Sequence, residues 1–221
     1  LNDKFILMCE VIFKSVGLDW FDKNLKIVEK SVEHLQFVAY LKLIFPNAKF
    51  IHILRNPYAN IVSLRKFKMH NNYPSLPEII ESIYNSFYYE QVNSMLVEDY
   101  SSLRYEDLLS DPEQVVRSIC SFLDIQFDDC LLVPTHMSLP WCGNSVSGER
   151  YSSISKSPIS NWLNEIEPIE MALIDKKFSV YLDKWGYRHN DIRRSFLLRS
   201  NNETIKTYIR NRLYRLYLDV L

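Results

Sequence analysis

Two hydrophobic periods alternate along this chain. Residues 3–16 place Phe5, Met8, Cys9, Ile12, Phe13 and Val16 on one side at helical spacing, with Gly17 just past the end. Leu25 to Glu29 is short and β-rich and predicts a strand, and Glu33 to Phe45 returns to the helical period before Pro46-Asn47 stops it. Lys49 to Leu54 is again a β-rich apolar run, the pattern of a strand buried on both faces of a parallel sheet, and it stops at the charge of Arg55. Asn56 suits a helix cap and Pro57 the first helical position, where a missing N–H needs no partner. Ala59, Ile61, Val62, Leu64 and Phe67 carry that helix to about Met69. Strand, helix and strand joined by a short turn predict a right-handed parallel crossover.

After a polar break from Asn71 to Pro77, Glu78 to Val97 reads as a long helix carrying Ile79, Ile80, Ile83, Phe87 and Val92. Ser101 to Tyr105 predicts a third strand, and Asp111-Pro112 opens a helix running to about Leu123. Val133 to Ser157 has no strong period and predicts a long loop, of a length that suits a lid or a binding loop. Helices over 159–164 and 168–184 close the domain at Trp185-Gly186-Tyr187. The tail from Asn190 carries seven Arg/Lys against three Asp/Glu, with Ile205, Tyr208, Ile209, Leu213, Leu216 and Tyr217 at helical spacing. An amphipathic helix packed on the domain is the favoured outcome, with a partner-binding or membrane-surface helix as its alternative. The pattern therefore divides into an α/β domain over 1–189, a parallel sheet flanked by helices, and a basic helical tail over 190–221.

Composition narrows the function. At 221 residues the chain is long enough for one α/β domain with a full core, and 47% hydrophobic and 24% charged residues are ordinary globular values. A formal net charge of −1 gives no global call for nucleic acid or a membrane surface. Only four glycines are present (Gly17, Gly143, Gly148 and Gly186), and no glycine-rich phosphate loop can be assembled from them. Cys9, Cys120, Cys130 and Cys142 show no CxxC spacing, which argues against zinc, and no metal is expected. No apolar run approaches a membrane span. Asn202-Glu203-Thr204 is a glycosylation sequon that matters only in a secreted chain. The chain opens at Leu1, so it is expected to be a fragment in which upstream targeting signals could be missing, and the compartment stays open: cytoplasmic if bacterial, Golgi if a eukaryotic anchor is missing.

The candidate chemistry lies around Arg55. At the carboxyl edge of a parallel sheet, a helix N-terminus offers free N–H groups and a positive dipole end to an anion. Arg55 adds a planar fork of donors that fits phosphate, and Ser63, two turns into the helix, adds a hydroxyl. A phosphate site is the result. The alternative is an arginine that ends a strand and pairs with a surface carboxylate.

The order of motifs resembles the superfamily of sulfotransferases that use 3′-phosphoadenosine 5′-phosphosulfate (PAPS). Val28-Glu29-Lys30-Ser31 resembles the strand-end lysine segment of carbohydrate and tyrosylprotein sulfotransferases. Phe45-Pro46-Asn47-Ala48-Lys49-Phe50-Ile51, leading to Arg55-Asn56-Pro57 and Ser63, is similar to the 3′-phosphate element. Leu103-Arg104-Tyr105-Glu106-Asp107-Leu108, then Asp111-Pro112 and Phe122-Leu123, matches another characteristic stretch. Gly143-Asn144-Ser145 and Trp162 resemble the late cofactor loop and the tryptophan helix behind it, so the likeness covers roughly residues 25–187. It implies a P-loop NTPase-like sulfotransferase fold and a sulfuryl group moved from PAPS to a hydroxyl or amine of a carbohydrate, protein tyrosine or small molecule.

The same resemblance implies roles. Lys30 would stabilise charge on the leaving group, and Arg55, Ser63, Tyr105 and Ser145 would hold the nucleotide, with Arg150 and Lys156 as weaker candidates. His34 is a candidate base, since its ordinary pKa lies near neutrality. Cytosolic sulfotransferases place their histidine two residues after the lysine rather than four, tyrosylprotein enzymes use an upstream glutamate, and Val32 stands where many relatives have proline. Glu106 and Asp107 resemble a carboxylate pair suited to acid/base work. Structural alternatives accompany each: a surface lysine for Lys30, a helix-start histidine for His34, core aromatics for Tyr105 and Trp162, and a capping role, the favoured one, for Glu106 and Asp107. Rival functions are a P-loop kinase-like phosphotransferase, and a catalytically inactive relative that binds the product nucleotide (adenosine 3′,5′-bisphosphate) or only a partner.

The first strand of the superfamily, with the loop that grips the 5′-phosphosulfate, is not found in this sequence, so the chain is expected to be N-terminally truncated and inactive alone. PAPS-binding and sulfate-transfer assays should show activity only in a version extended upstream of Leu1; full activity of the short form would refute the expectation.

Overall fold

The computed structural model describes residues 2–15, 17, 26–70, 76–136, 139–141 and 153–189. Packing divides the chain into two units, Leu1–Ala48 and Lys49–Leu221. No helix among the described residues is long and apolar enough to cross a membrane.

The first unit contains α1 (Asn2–Ser15), a 3₁₀ turn (Glu33–Phe37) and α2 (Val38–Ile44). Gly17 follows α1 with φ +76°, the left-handed conformation that glycine supplies without strain after a helix. Residues 26–30 form no strand, which corrects the strand expected over Leu25–Glu29. Val28 is 90% exposed, so the run buries too little apolar surface to hold a strand without a neighbour to bond its edge.

The second unit is built on two parallel strands, β1 (Phe50–Leu54) and β2 (Tyr100–Arg104), in register from Phe50↔Tyr100 to Leu54↔Arg104. Parallel strands require a crossover. Here it runs through α3 (Pro57–His70) and α4 (Leu76–Leu96), one strand later than the expected crossover from 25–29. The short helices α5 (Tyr105–Ser110) and α6 (Pro112–Leu123) follow β2 directly. Asp111 caps α6 by accepting the Gln114 N–H at 3.1 Å, and Asp124 ends it at φ +53°, pinned through Lys49 back to the start of β1. The stretch expected as a loop from Val133 contains a small antiparallel pair, β3 (Thr135–His136) and β4 (Leu139–Pro140). Two 3₁₀ turns (Ser157–Ile159 and Asn161–Asn164) lead into α7 (Pro168–Lys177) and α8 (Ser179–Lys184). The tail over 190–221 lies outside the described residues.

The core joins Leu54 of β1 and Tyr58, Ile61 and Val62 of α3 to Ile79, Ile80, Ile83 and Phe87 of α4, with Trp162, Ile174, Phe178 and Leu182 behind them. It covers one side of β1. Ile53, on the alternate side, is 49% exposed, so the expected burial on both faces holds for one face only.

The inner side of α4 also carries polar side chains that bond the strands. His52 contacts the Tyr100 hydroxyl through Nδ1 and Ser86 Oγ through Nε2 at 2.9 Å, while buried Glu90 accepts from Ser102 at 3.3 Å and from Lys184 at 2.9 Å. Burial pushes the His52 pKa below its ordinary 6.5, with the Glu90 charge pulling weakly the other way. The unfolded chain then takes up this proton before the folded one does. Stability is complete above 6.5 and declines as pH falls from there through the lower folded-state value. Melts at about pH 7.5 and about pH 5 should show a shallower acid loss for His52→Gln than for the native chain. Equal slopes would mean that His52 does not carry the linkage.

Candidate functional site

The last paired residues of the parallel strands are Leu54 and Arg104, so Arg55 and Tyr105 leave the sheet side by side. The Arg55 guanidinium carbon lies 5.1 Å from the centre of the Tyr105 ring, a cation–π contact that orients it. Arg55 Nε is buried and has no hydrogen-bond partner among the described residues. A buried donor without an acceptor is unfavourable, and such groups are rare without a reason. Arg104 is comparable: its guanidinium lies 4.6 Å from the Tyr187 ring, its NH1 lies 3.7 Å from Asp107, and its Nε is also buried without a partner.

The turn after Arg55 is closed from within. The Asn56 N–H donates to Glu106 Oε1 at 2.9 Å, and Asn56 Oδ1 accepts the Tyr58 N–H at 2.9 Å. The Asn60 N–H donates to the Asn56 carbonyl at 2.8 Å, which closes the first turn of α3. Pro57 has no N–H to offer. The expected row of free N–H groups at this helix start is therefore partly used internally, at Asn56 and Tyr58, and Arg55 adds a side-chain donor with the positive end of the α3 dipole behind it.

Glu106 is 6% exposed and is satisfied at both oxygens, the second by the Tyr187 hydroxyl at 2.8 Å. Burial, and then the Glu106 charge, push the Tyr187 phenol pKa well above its usual value. On the other side of the turn, Asn56 Nδ2 lies 3.5 Å from His189 Nε2. His189 contacts Trp162 and Tyr58, whose rings stack 5.4 Å apart. Burial lowers the His189 pKa. Trp162 is buried in the core, where its Nε1–H donates to the Ile159 carbonyl at 2.8 Å.

The structure thus brings Arg55 and Tyr105 together and sets Ser63, half-buried, two turns into α3. Lys30 and His34 belong to the first unit. Lys30 is exposed on an irregular segment, and His34 Nδ1 lies 2.7 Å from Glu29 Oε2. A carboxylate only accepts, so Nδ1 carries the hydrogen and a neutral ring keeps its lone pair on Nε2. Lys156 donates to the Ser110 carbonyl at 2.9 Å, a structural use. Ser145, with Gly143, Asn144 and Arg150, lies outside the described residues. Sequence reasoning missed the bridge from Asn56 through Glu106 to Tyr187. Its members are separated by 50 and 81 positions, and no local pattern announces such a contact.

A sequence model of the sulfotransferase family matches residues 7–129. The chain belongs to the sulfotransferase family. The matched span contains Lys30, His34, Arg55, Ser63 and Tyr105 and ends before Ser145. Among proteins similar to this sulfotransferase chain are two named omega-hydroxy-beta-dihydromenaquinone-9 sulfotransferase Stf3, from Mycobacterium bovis and Mycobacterium tuberculosis. Each is 25% identical over 191 residues, covering 80% of this chain and 46% of the relative. The chain therefore spans about half the length of the curated relatives it matches. Among solved structures, the sulfotransferase domain of the Synechococcus PCC 7002 olefin synthase superposes with a TM-score of 0.52 at 26% identity, covering 71% of this chain and 59% of that one. The parallel pair flanked by helices is thus part of a P-loop-like sulfotransferase fold.

Asn56 caps α3, so Asn56→Ala should cost about 1 kcal/mol, read as a fall of about 2–4 °C in melting temperature, and Asn56→Ser should recover most of it. An unchanged melting temperature would show that α3 starts without the cap.

Proposed function

We propose that this chain carries the 3′-phosphate end of a PAPS site and serves a sulfotransferase that moves a sulfuryl group to a hydroxyl or amine acceptor. The supporting observation is the Arg55 guanidinium: it is oriented by Tyr105 at the end of β1, with a buried Nε that has no partner among the described residues. A doubly charged phosphate supplies acceptors to such a fork, which is the fit required of a 3′-phosphorylated nucleotide. PAPS, when bound, supplies a sulfuryl group already joined to a good leaving group, so the protein's work is positioning and charge stabilisation.

In this proposal Arg55 binds the 3′-phosphate, the Ser63 hydroxyl donates to it, and Tyr105 carries the guanidinium and borders the adenosine. Ser145 adds a contact from its loop. Lys30 stabilises charge on the departing phosphate. His34, held by Glu29, takes the acceptor's proton at Nε2. No metal has a part in it. A second reading, a relative that binds the product nucleotide without catalysis, draws support from Lys30, which is exposed on a segment that forms no strand.

Arg55→Ala should raise the dissociation constant for adenosine 3′,5′-bisphosphate by about 10- to 100-fold, the worth of one charged hydrogen-bonded contact. Arg55→Lys should fall between, and binding should survive EDTA, measured by calorimetry. Equal affinity for ATP and the 3′-phosphorylated nucleotide would sink the proposal in favour of a kinase-like site. In an upstream-extended version, Lys30→Ala should abolish transfer and leave bisphosphate binding intact; unchanged transfer would remove Lys30 from the chemistry.

A further inference from the structure

Beyond Leu54 and Arg104 the ladder between β1 and β2 ends, and nothing in the sheet sets the path of Arg55. What takes over is a carboxylate. Glu106 Oε1 accepts the N–H of Asn56, the residue directly after Arg55, where a further strand bond would otherwise lie. Its other oxygen accepts the Tyr187 hydroxyl, and Tyr187 is fixed in turn as a 1% exposed core residue whose ring lies beneath Arg104. Tyr105, whose ring orients the Arg55 guanidinium, is the immediate neighbour of Glu106. One carboxylate thus references both halves of the Arg55–Tyr105 pair to a rigid point in the core.

We propose that Glu106 and Tyr187 are positioning residues that set the Arg55 guanidinium for the 3′-phosphate of the nucleotide. The inference rests on the nucleotide role given to Arg55 above. Neither residue touches the ligand; both act through the Asn56 N–H and the Tyr105 backbone. The physical demand is tight, because a bidentate contact tolerates displacements of only about 0.5 Å. Loss of the hydroxyl leaves Glu106 with one bond fewer and frees the turn to relax, while the ring of phenylalanine still fills the space under Arg104.

The test is a ratio of affinities, since a merely structural role would not move it. Dissociation constants for adenosine 3′,5′-bisphosphate and for adenosine 5′-monophosphate are measured by calorimetry on the native chain, Tyr187→Phe, Glu106→Gln, Arg55→Ala and Ile174→Val. Tyr187→Phe and Glu106→Gln should each cut the preference for the 3′-phosphorylated nucleotide about tenfold, almost wholly through the bisphosphate. Ile174→Val, which trims the core elsewhere, should lower the melting temperature and keep the preference. A native-like preference in whichever of the two variants folds, or an equal loss in Ile174→Val, overturns the inference while Arg55 keeps its role. A native chain without preference, or an Arg55→Ala variant that keeps it, overturns the nucleotide site and this inference together.

Discussion

A buried carboxylate at the end of two strands is the constraint on which the rest of this structure turns. Placing Glu106 away from water is unfavourable unless each oxygen finds a donor, and the donors come from distant parts of the chain: the Asn56 N–H and the Tyr187 hydroxyl. Meeting that demand requires the β1–α3 turn, the β2–α5 junction and the segment after α8 to converge on one point. The convergence is specific in a way that apolar contact is not, because a hydrogen bond fails at displacements that a greasy contact tolerates.

Helix α4 prepares the convergence. Its apolar residues Ile79, Ile80, Ile83 and Phe87 enter the core, and Ser86 and Glu90, interleaved with Phe87 in its second half, reach His52 of β1, Ser102 of β2 and Lys184 of α8. A helix whose inner side mixes apolar and bonded polar side chains does two things at once. Burial supplies the driving force, and the polar contacts choose the register in which β1 and β2 end level with one another. Level ends place Arg55 beside Tyr105.

The resulting site suits the sulfotransferase family through geometry rather than through exotic chemistry. Arg104 ends β2 and Arg55 follows β1, each lying over a tyrosine ring and each with a buried Nε that has no partner among the described residues, so two guanidinium groups sit at one end of the sheet. Of the two, Arg104 is the more committed to protein contacts, through Tyr187 and Asp107, and Arg55 the more open to a ligand. The opening turn of α3 contributes its dipole, while two of its N–H groups, those of Asn56 and Tyr58, are taken by Glu106 and by the Asn56 side chain. Lys30 and His34 belong to a separate unit, and the part proposed for them rests on the resemblance of their segment to the family pattern and on the pairing of His34 with Glu29.

Much of this was legible in the amino-acid order alone. The helices over Pro57–His70, Leu76–Leu96 and Pro112–Leu123 were readable because caps, prolines and apolar spacing act over a few residues. Arg55 and Tyr105 were each legible as a residue at the end of a β-rich run, but that these two runs pair and set the residues side by side came only with the tertiary structure. Leu25–Glu29 misled for the complementary reason: β-rich composition describes a capacity to pair, and a strand exists only when a partner supplies the other half of its bonds. Tertiary structure alone decided that Glu106 is a strut rather than an acid, a base or a cap, and that Tyr187 holds it. Local pattern carries information over one or two turns of chain, whereas a buried charge is tolerated only by donors that folding brings from far away.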